Sequence, residues 1–464
     1  MALKINTDVA SLSALRNIQQ SSLKELESYE RLSTGLKINR GSDDPSGLVI
    51  FQALRGQLNV INQAVENTQN AYNMVQTAEA GLGEIGDLLN KGRALALQAM
   101  NTGALGPNQQ KALQLSMNSL LDAVDRVANT TRYAGTNLLN GNMNIQVANA
   151  DPELADVQVT SGAFQGEFPQ RVNVNVTSAA TRAQAGGTIA AVQSDDSTIR
   201  ISGNLGTEDI SIAAGATQAE VETAINNVSD KTGIESVGGF IRSVDYGSEA
   251  SVNLVELEGD LEGITSGKTT GTDVVALVNG EATAGEGNVI TAHTGELSAR
   301  ITVESGATGN FSFDVLGGGA TFQLGASVSG GDRMTLGIPS ANTTELGNSS
   351  GLSALSALRT GGTYNLTDNP GDAMRILDAA AGEVSETRGR LGSVSGTIFE
   401  SNIRSLDIAF ENISASASAV ADANLAEEVS NLIRNRVVKE AGLKVLQQMN
   451  MNAGVALRLL GATP

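Results

Sequence analysis

Hydrophobic positions recur in steps of three and four at both ends of the chain and in steps of two through its middle. From Phe51 they run Phe51, Leu54, Leu58, Ile61, Val65, Thr68, Tyr72, Val75, Glu79, Leu82, Gly86 and Leu89, with only Thr68, Glu79 and Gly86 off-type. Such alternation keeps one stripe on one helix face and reads as a sustained coiled-coil seam. A helix from Asp44 to Met100 has a length of about 85 Å at 1.5 Å per residue. The stretch GALGPNQQ, Gly103 to Gln110, supplies a turn, and a second seam follows at Leu113, Met117, Leu120, Val124 and Val127.

The C-terminal part mirrors this. Leu377, Ala380, Val384, Thr387, Leu391, Val394 and Ile398 share one register. Phe399, Ile403, Leu406, Phe410, Ile413, Ala417 and Val420 share another, one residue out of step. A slip of this kind predicts a local change of supercoil. The last segment carries apolar pairs at Val429/Leu432, Leu443/Leu446 and Leu457/Leu460. The first carries Val9, Leu12, Leu15, Ile18, Leu23, Leu26, Leu32 and Leu36. Helices this long and narrow cannot bury their stripes inside one compact domain. The N-terminal set is therefore expected to pair with the C-terminal set, leaving apolar surface for other copies of the chain. The candidate packing residues are Val9, Leu12, Leu15, Leu26, Leu32, Leu36, Val429, Leu432, Leu443, Leu446, Leu457 and Leu460.

The middle is different. Arg171 to Ser350 holds 27 of the 52 glycines, and alternating runs such as RVNVNVTS, STIRISG, EDISIAAG, ASVNLVELEG, ARITVESG and NFSFDVLGGG lie between turn residues. These read as hairpin strands. One helix interrupts them at TQAEVETAINNVSDKTG, with Val221, Ala224, Ile225 and Val228 on one face. The fold class expected is α+β: long N- and C-terminal α-helices forming a coiled-coil core, with an inserted β-rich middle module. Residues 1–42 and 422–464 are expected as one terminal helical domain. Residues 43–175 and 351–421 are expected as a helical core domain with a small β-hairpin region near 142–175, and 176–350 as the exposed insert.

Charge sharpens the division. The chain carries −20 overall, and Arg171 to Ser350 holds 22 acidic and 8 basic residues, while both ends are close to neutral. An acidic middle argues against nucleic acid as a partner, which needs clustered Lys and Arg. The absence of cysteine excludes disulfides and thiolate metal sites. No run of eighteen apolar residues occurs, so no membrane insertion is expected. The start, MALKINTDVASLSALRNIQQ, lacks the apolar core of a cleaved secretory signal.

Candidate chemistry is sparse. The acidic pair in GSDDPSG resembles part of a metal loop, but apolar residues follow where a calcium loop needs further oxygen ligands. A helix start accounts for it better. Asp44 caps, Pro45 takes the first helical position, and the negative charge of Asp43 and Asp44 favours that helix end. Ser33 to Asn39 then ends the preceding helix, and 41–44 redirects the chain. The one histidine, His293 in TAHTGE, has no second histidine for a zinc site and no nucleophile turn beside it, so it reads as a solvated loop residue. GLGEIG lies inside a helical seam rather than after a strand, and VLGGGATF lacks the Lys-Ser/Thr of a phosphate loop. No catalytic, cofactor or metal residues are expected.

Several stretches together carry a family resemblance. They are INTDVASLSALRNIQQ with RLSTGLKIN and the following DD pair, DRVANTTRYAGTNLLNG with NIQV, and LAEEVSNLIRNRVVKEAGLKVLQQMN. They resemble bacterial flagellin, over roughly half of the chain. Ile199 to Ile234 resembles a small strand-and-helix insert of flagellins and hook-associated proteins. The resemblance implies a secreted subunit that polymerises into the flagellar filament for motility. Its terminal helices would pair in the innermost tube, the longer helices would form the outer tube, and the middle would project outward. It also implies type III export without a cleaved signal, and an export chaperone, cap and hook-associated proteins as partners beside the self-association. Two alternatives stay open: a hook–filament junction protein, and a surface adhesin whose β insert binds. Removal of about Ala180 to Ala320 is expected to spare filaments and to abolish any adhesion.

Two departures from the family pattern matter. At Ser418 to Asn424 the sequence reads SAVADAN, without the arginine and one of the aspartates usual there. In LLNKGRALALQAM, Leu88 to Met100, the stretch resembles the flagellin contact with a vertebrate innate receptor, with Lys91 and Leu95 at contact positions and Arg93 between them. Ser116 stands where the next helix usually supplies an acid, so weak or absent recognition is expected.

Overall fold

Runs spaced by three and four fold as helices, and the alternating runs fold as strands. The computed structural model describes residues 9–101, 106–164, 168–294, 297–327, 330–459 and 461. Among them the helices are α1 (Val9–Thr34), α2 (Pro45–Ala99), α3 (Pro107–Thr130), α4 (Gln218–Asn226), α5 (Ser229–Thr232), α6 (Pro370–Ser393), α7 (Glu400–Ala421) and α8 (Leu425–Leu459). None of the described helices is long and apolar enough to cross a membrane. The chain divides into two units. One holds the chain ends, up to Glu66 and from Ile403; the other holds Asn67 to Asn402.

In the first unit α1 packs along α8. The beginning of α2 meets α7 through Ile61, Ala64 and Leu406, with Val65, Phe410 and Ile413 against them.

The second unit has a helical core around the rest of α2, with α3 and α6. The face that α2 buries differs from the stripe read in the sequence. Ile61, Ala64, Thr68, Ala71, Val75, Ala78, Leu82, Ile85, Leu89, Ala96 and Ala99 are buried, and Gly92 continues the spacing. Val65, Tyr72, Glu79 and Gly86 stand to one side, half-buried. Alternate positions of the true seam are mostly alanine or glycine, which let a neighbouring helix approach closely. A Cβ on Gly92, for instance, would lie 3.1 Å from Leu377 Cδ2. Along α3 the expected seam is buried at Leu113, Met117, Leu120 and Val124, and Ala128 rather than Val127 completes it. The α3 start is capped at Gly106, whose N–H donates to the Gln109 side chain at 2.9 Å, with Pro107 at the first helical position.

The slip between the two C-terminal registers has a structural counterpart. α6 runs into a π-helical turn at Val394–Phe399 before α7 begins. One extra residue in the turn accommodates the offset. Phe399 is fully buried, edge-on to Phe322 with centroids 6.0 Å apart, whereas Ile398 of the expected seam is exposed.

A ten-stranded antiparallel sheet follows the helical core. Its order is Ala320–Gln323, Arg333–Leu336, Leu154–Gly162, Leu297–Val303, Val289–His293, Glu281–Glu286, Val275–Val278, Gln170–Ser178, Gly309–Gly318 and Ile145–Ala148. Every second side chain of Leu297–Val303 is buried, and one core collects Val172, Val174, Ile290, Ile301 and Phe313. The expected boundary at 176 falls inside a strand of this sheet. Strands from both sides of it pair, as Val174 does with Val278 and with Phe311. The sheet joins what the sequence reading divided, because antiparallel partners lie far apart along the chain.

A smaller module is inserted along the chain between Gln170–Ser178 and Val275–Val278, which are neighbouring strands of that sheet. It enters at Thr181 and leaves at Thr272, which face each other across an isolated bridge, their hydroxyls 2.8 Å apart. Its four-stranded sheet orders Gly267–Thr270, Ser251–Glu258, Ser197–Ser202 and Thr207–Ile212. α4 lays Val221 and Ile225 into its core and starts at a capping box in which Glu220 accepts from the Thr217 N–H at 2.8 Å. The expected single helix ends at Asn226, and the short α5 replaces its last turn, stopped by Gly233 at φ 73°. The span 180–320 therefore contains this module together with five strands of the larger sheet.

Candidate functional site

Most of the sequence-predicted site residues lie in the first unit, at the joint between α1 and α2 and along the α1–α8 pair. α1 stops because Gly35 adopts φ 73°, a conformation that disfavours any side chain, while its N–H still donates to Arg31 O at 2.9 Å. Leu36 thus leaves the helix and forms a bridge with Asp422. Lys37 N–H donates to Ala421 O at 2.6 Å, and Ala423 N–H donates to Gly35 O at 2.9 Å. The end of α1 is stitched to the turn between α7 and α8.

The acidic pair is occupied by backbone donors. Asp43 Oδ2 accepts the N–H groups of Asn39 at 3.0 Å and Arg40 at 2.8 Å, closing the 39–43 turn. These bonds hold the Asp43 carboxyl below its ordinary pKa of 3.8, with smaller help from the charges of Arg31 and Arg40. Asp44 Oδ1 accepts the N–H groups of Ser46 at 3.1 Å and Gly47 at 2.9 Å, with Pro45 as the first residue of α2. Gly47 is fitted to this cap, since a Cβ there would stand 2.7 Å from Cδ1 of the buried Ile38. Among the described residues no group of three or more His, Cys, Asp or Glu is placed to hold a metal.

The SAVADAN stretch works without the missing arginine. Ser418 Oγ donates to the Asp422 carboxylate one turn on. Asn424 caps α8, accepting the N–H of Ala426 at 3.2 Å and of Glu427 at 3.4 Å.

Along the pair, the contact face of α1 is small and polar. Ser21, Glu25 and Ser28 are its buried residues. Lys439 Nζ meets Glu25 Oε2 at 2.9 Å, and Arg31 Nη1 meets Glu428 Oε1 at 3.1 Å. Gly442 lies against Ile18, whose Cγ1 would be 2.8 Å from an added Cβ. The leucine stripe points elsewhere. Val9 (68% exposed), Leu12, Leu15 and Leu26 (62%) face outward, as do Val429 and Leu443 on α8 beside Ile433, Val437 and Val438. Leu32, Leu432 and Leu446 are half-buried. The Leu457 side chain and Leu460 lie outside the described residues. Sequence reasoning missed the Ser21–Glu25–Ser28 face because it followed only apolar residues. The four- and three-residue steps between those polar positions were the available signal.

The remaining candidates are dispersed. Lys91 is exposed on α2, Arg93 is ion-paired with Asp378 of α6, and Leu95 packs half-buried against the helical core. His293 ends a strand rather than occupying a loop, with Nδ1 3.4 Å from Ser298 Oγ.

Comparison with known proteins accords with this architecture. Residues 5–144 match the bacterial flagellin N-terminal helical region, and residues 374–460 match the flagellin C-terminal helical region. A flagellin of Clostridium tyrobutyricum is 28% identical over 96% of this chain and 98% of its own length. Flagellin B of Vibrio cholerae is 25% identical over 99% of this chain and 100% of its own, and polar flagellin F of Vibrio parahaemolyticus is 27% identical over the same shares. Because both helical ends match their family regions and such relatives align along nearly the whole chain, the protein belongs to the bacterial flagellins, the exported structural subunits of the flagellar filament.

Proposed function

We propose that the chain polymerises through the paired helices α1 and α8. In this reading residues 1–42 and 422–464 line the innermost tube, the helices α2, α3, α6 and α7 form the outer tube, and the acidic β-rich middle, with its ten-stranded sheet kept whole, faces water. One observation supports it above the others: α1 and α8 pair through a polar seam and leave their large apolar residues outward. Exposed apolar stripes on both members of a pair mark an interaction surface. Identical copies are the partner a homopolymer supplies. The candidate packing residues from Val9 to Leu460 act between subunits in this reading, and the Asp43–Asp44–Pro45 joint sets the entry of α2 relative to the end of α1.

The same stripes need cover before assembly, which favours an export chaperone on the C-terminal helix. Cap and hook-associated proteins follow as partners from the family. The chain acts as a structural element and not as an enzyme. Recognition by the innate receptor is weak in this reading, since Arg93 is engaged by Asp378 and Leu95 packs inward, leaving Lys91 exposed.

Electron microscopy of purified full-length protein and of a version lacking residues 1–42 and 422–464 tests the proposal. Long tubes are expected from the first and soluble monomers from the second. Normal tubes from the trimmed protein would overturn it.

A further inference from the structure

Within the second unit, the 181–272 module has a hydrophobic core of its own, separate from that of the ten-stranded sheet. Among the described residues the hydrogen bonds that cross between the two are confined to the neck where the chain enters and leaves the module. Thr181 and Thr272 bond each other there, and the Gly247 N–H of the module donates to Thr181 O at 3.0 Å. One side chain ties the two bodies together. Asp273 Oδ1 accepts the Ser248 N–H of the module and the Gly287 N–H of a turn of the large sheet, each at 2.9 Å. Its Oδ2 accepts the Ser248 hydroxyl at 2.6 Å. The backbones of the two turns touch, since a Cβ on Gly247 would stand 2.7 Å from Gly287 Cα. Tyr246 of the module rests half-buried against the core of the large sheet, under the Arg182 guanidinium 4.6 Å from its ring.

Beyond the neck a cleft of about 830 Å³ lies between the module, the large sheet and the end of α6. The module lines it with Asn204, Asp245 and Glu249, and the opposite side carries Glu286, Glu386, Arg300 and Arg390. Arg300 and Glu386 bond each other at 2.9 Å, both on that opposite side. Among the described residues no hydrogen bond or ion pair spans the cleft from the module. The two acids of the module face equal numbers of acids and guanidinium groups, so charge neither clamps the cleft nor forces it wide. Two chain crossings side by side, with a single side-chain tie, have the form of a hinge.

We propose that the module is a lid hinged at Thr181 and Thr272, and that Asp273 latches it in its present tilt over the cleft. Without the carboxylate the Ser248 turn loses its tie to the Gly287 turn, and the lid swings about the threonine crossing. The inference stands apart from the filament reading, because hinge, latch and cleft belong to one chain.

The chain has no cysteine, so introduced pairs take spin labels cleanly. Lys268→Cys on the module with Glu304→Cys beside the strand Leu297–Val303 reports the tilt. Thr207→Cys with Lys268→Cys, both on the four-stranded sheet of the module, reports whether the module itself is folded. Pulsed dipolar spectroscopy of the full-length chain is expected to give a narrow distance distribution for both pairs. Asp273→Ala should broaden the 268–304 distribution about twofold and leave 207–268 unchanged. Ser248→Ala, which keeps the carboxylate and both N–H groups, should broaden it less. Asp273→Asn, which keeps an acceptor, should restore most of the narrow distribution. A 268–304 distribution that stays narrow in both Asp273→Ala and Ser248→Ala overturns the latch, and so does one already broad in the wild type. Where Asp273→Ala broadens 207–268 as well, the module has loosened internally and Ser248→Ala decides. Broadening of 268–304 alone in that variant supports the latch, and no broadening overturns it.

Discussion

Lys439 of α8 reaches the carboxylate of Glu25 on α1 at 2.9 Å, and Glu25 is all but buried. The two residues are 414 positions apart, so this contact ties the ends of the chain together. Lys439→Ala leaves the Glu25 carboxylate enclosed without its donor. The expected loss is about 1–2 kcal/mol of stability, tempered because Lys439 is itself a third exposed. Urea titration of the monomer by circular dichroism checks this. The double change Glu25→Ala with Lys439→Ala should cost less than the sum of the single changes, since the pair is one interaction.

Asp44→Ala removes the cap of α2 and is expected to cost about 1 kcal/mol, with Asp44→Asn or Asp44→Ser regaining most of it. Thermal unfolding reads the difference. Added calcium or a chelator should shift none of these melting temperatures, and a calcium-dependent shift lost in Asp44→Ala would falsify the capping role.

Asp43 gives the joint a pH dependence of defined sign. Its carboxyl is held below its ordinary value of 3.8 by two backbone N–H groups. The stability it contributes is therefore present above the ordinary value and lost as pH falls through the depressed one. The stability difference between wild type and Asp43→Asn should be constant above about pH 5 and shrink below pH 4, followed by melting temperature at stepped pH. A difference unchanged down to full protonation counts against the bonding described.

The α2 seam separates two faces that differ by one step. Ala78→Leu overpacks a fully buried position and should cost about 1–3 kcal/mol. Glu79→Leu, on the half-buried flank, should change stability far less. Similar losses at both positions would refute the placement of the seam.

Removing 182–271 and joining Thr181 to Thr272 by a short turn should leave the larger sheet and the helical core folded, because those threonines already touch. Removing 180–320 takes away five strands of the ten-stranded sheet and should unfold it. Limited proteolysis of the two variants distinguishes them.

Much of this was legible in advance for physical reasons. Steps of three and four found every long helix because periodicity survives an occasional polar residue, as at Thr68. The face of α2 came out one step wrong because alanine carries little apolar weight, yet Ala64, Ala71 and Ala78 are what close packing needs. The offset between Val394 and Phe399 was visible as a phase error, although the π-helical turn that absorbs it was not. Strands such as EATAGE at 281–286, paired on both sides within the sheet, were missed because a run of small and polar residues shows no hydrophobic alternation. At the joint, Asp-Asp-Pro before an apolar run pointed to a cap, whereas the bonds of Lys37 and Ala423 across to the turn between α7 and α8 left no local signal. The Glu25 seam was not, because a buried carboxylate is recognised only with its lysine, 414 residues away.

The π-helical turn also makes residue count a quantity the core can sense. An α-helix advances about 100° per residue. Deleting Gly396, where an added Cβ would meet nothing, changes no packed side chain directly. It would nevertheless rotate Phe399 away from Phe322 and swing another side chain toward the core. A single silent-looking codon loss there would act like a large core substitution, whereas Gly396→Ala would pass almost unnoticed.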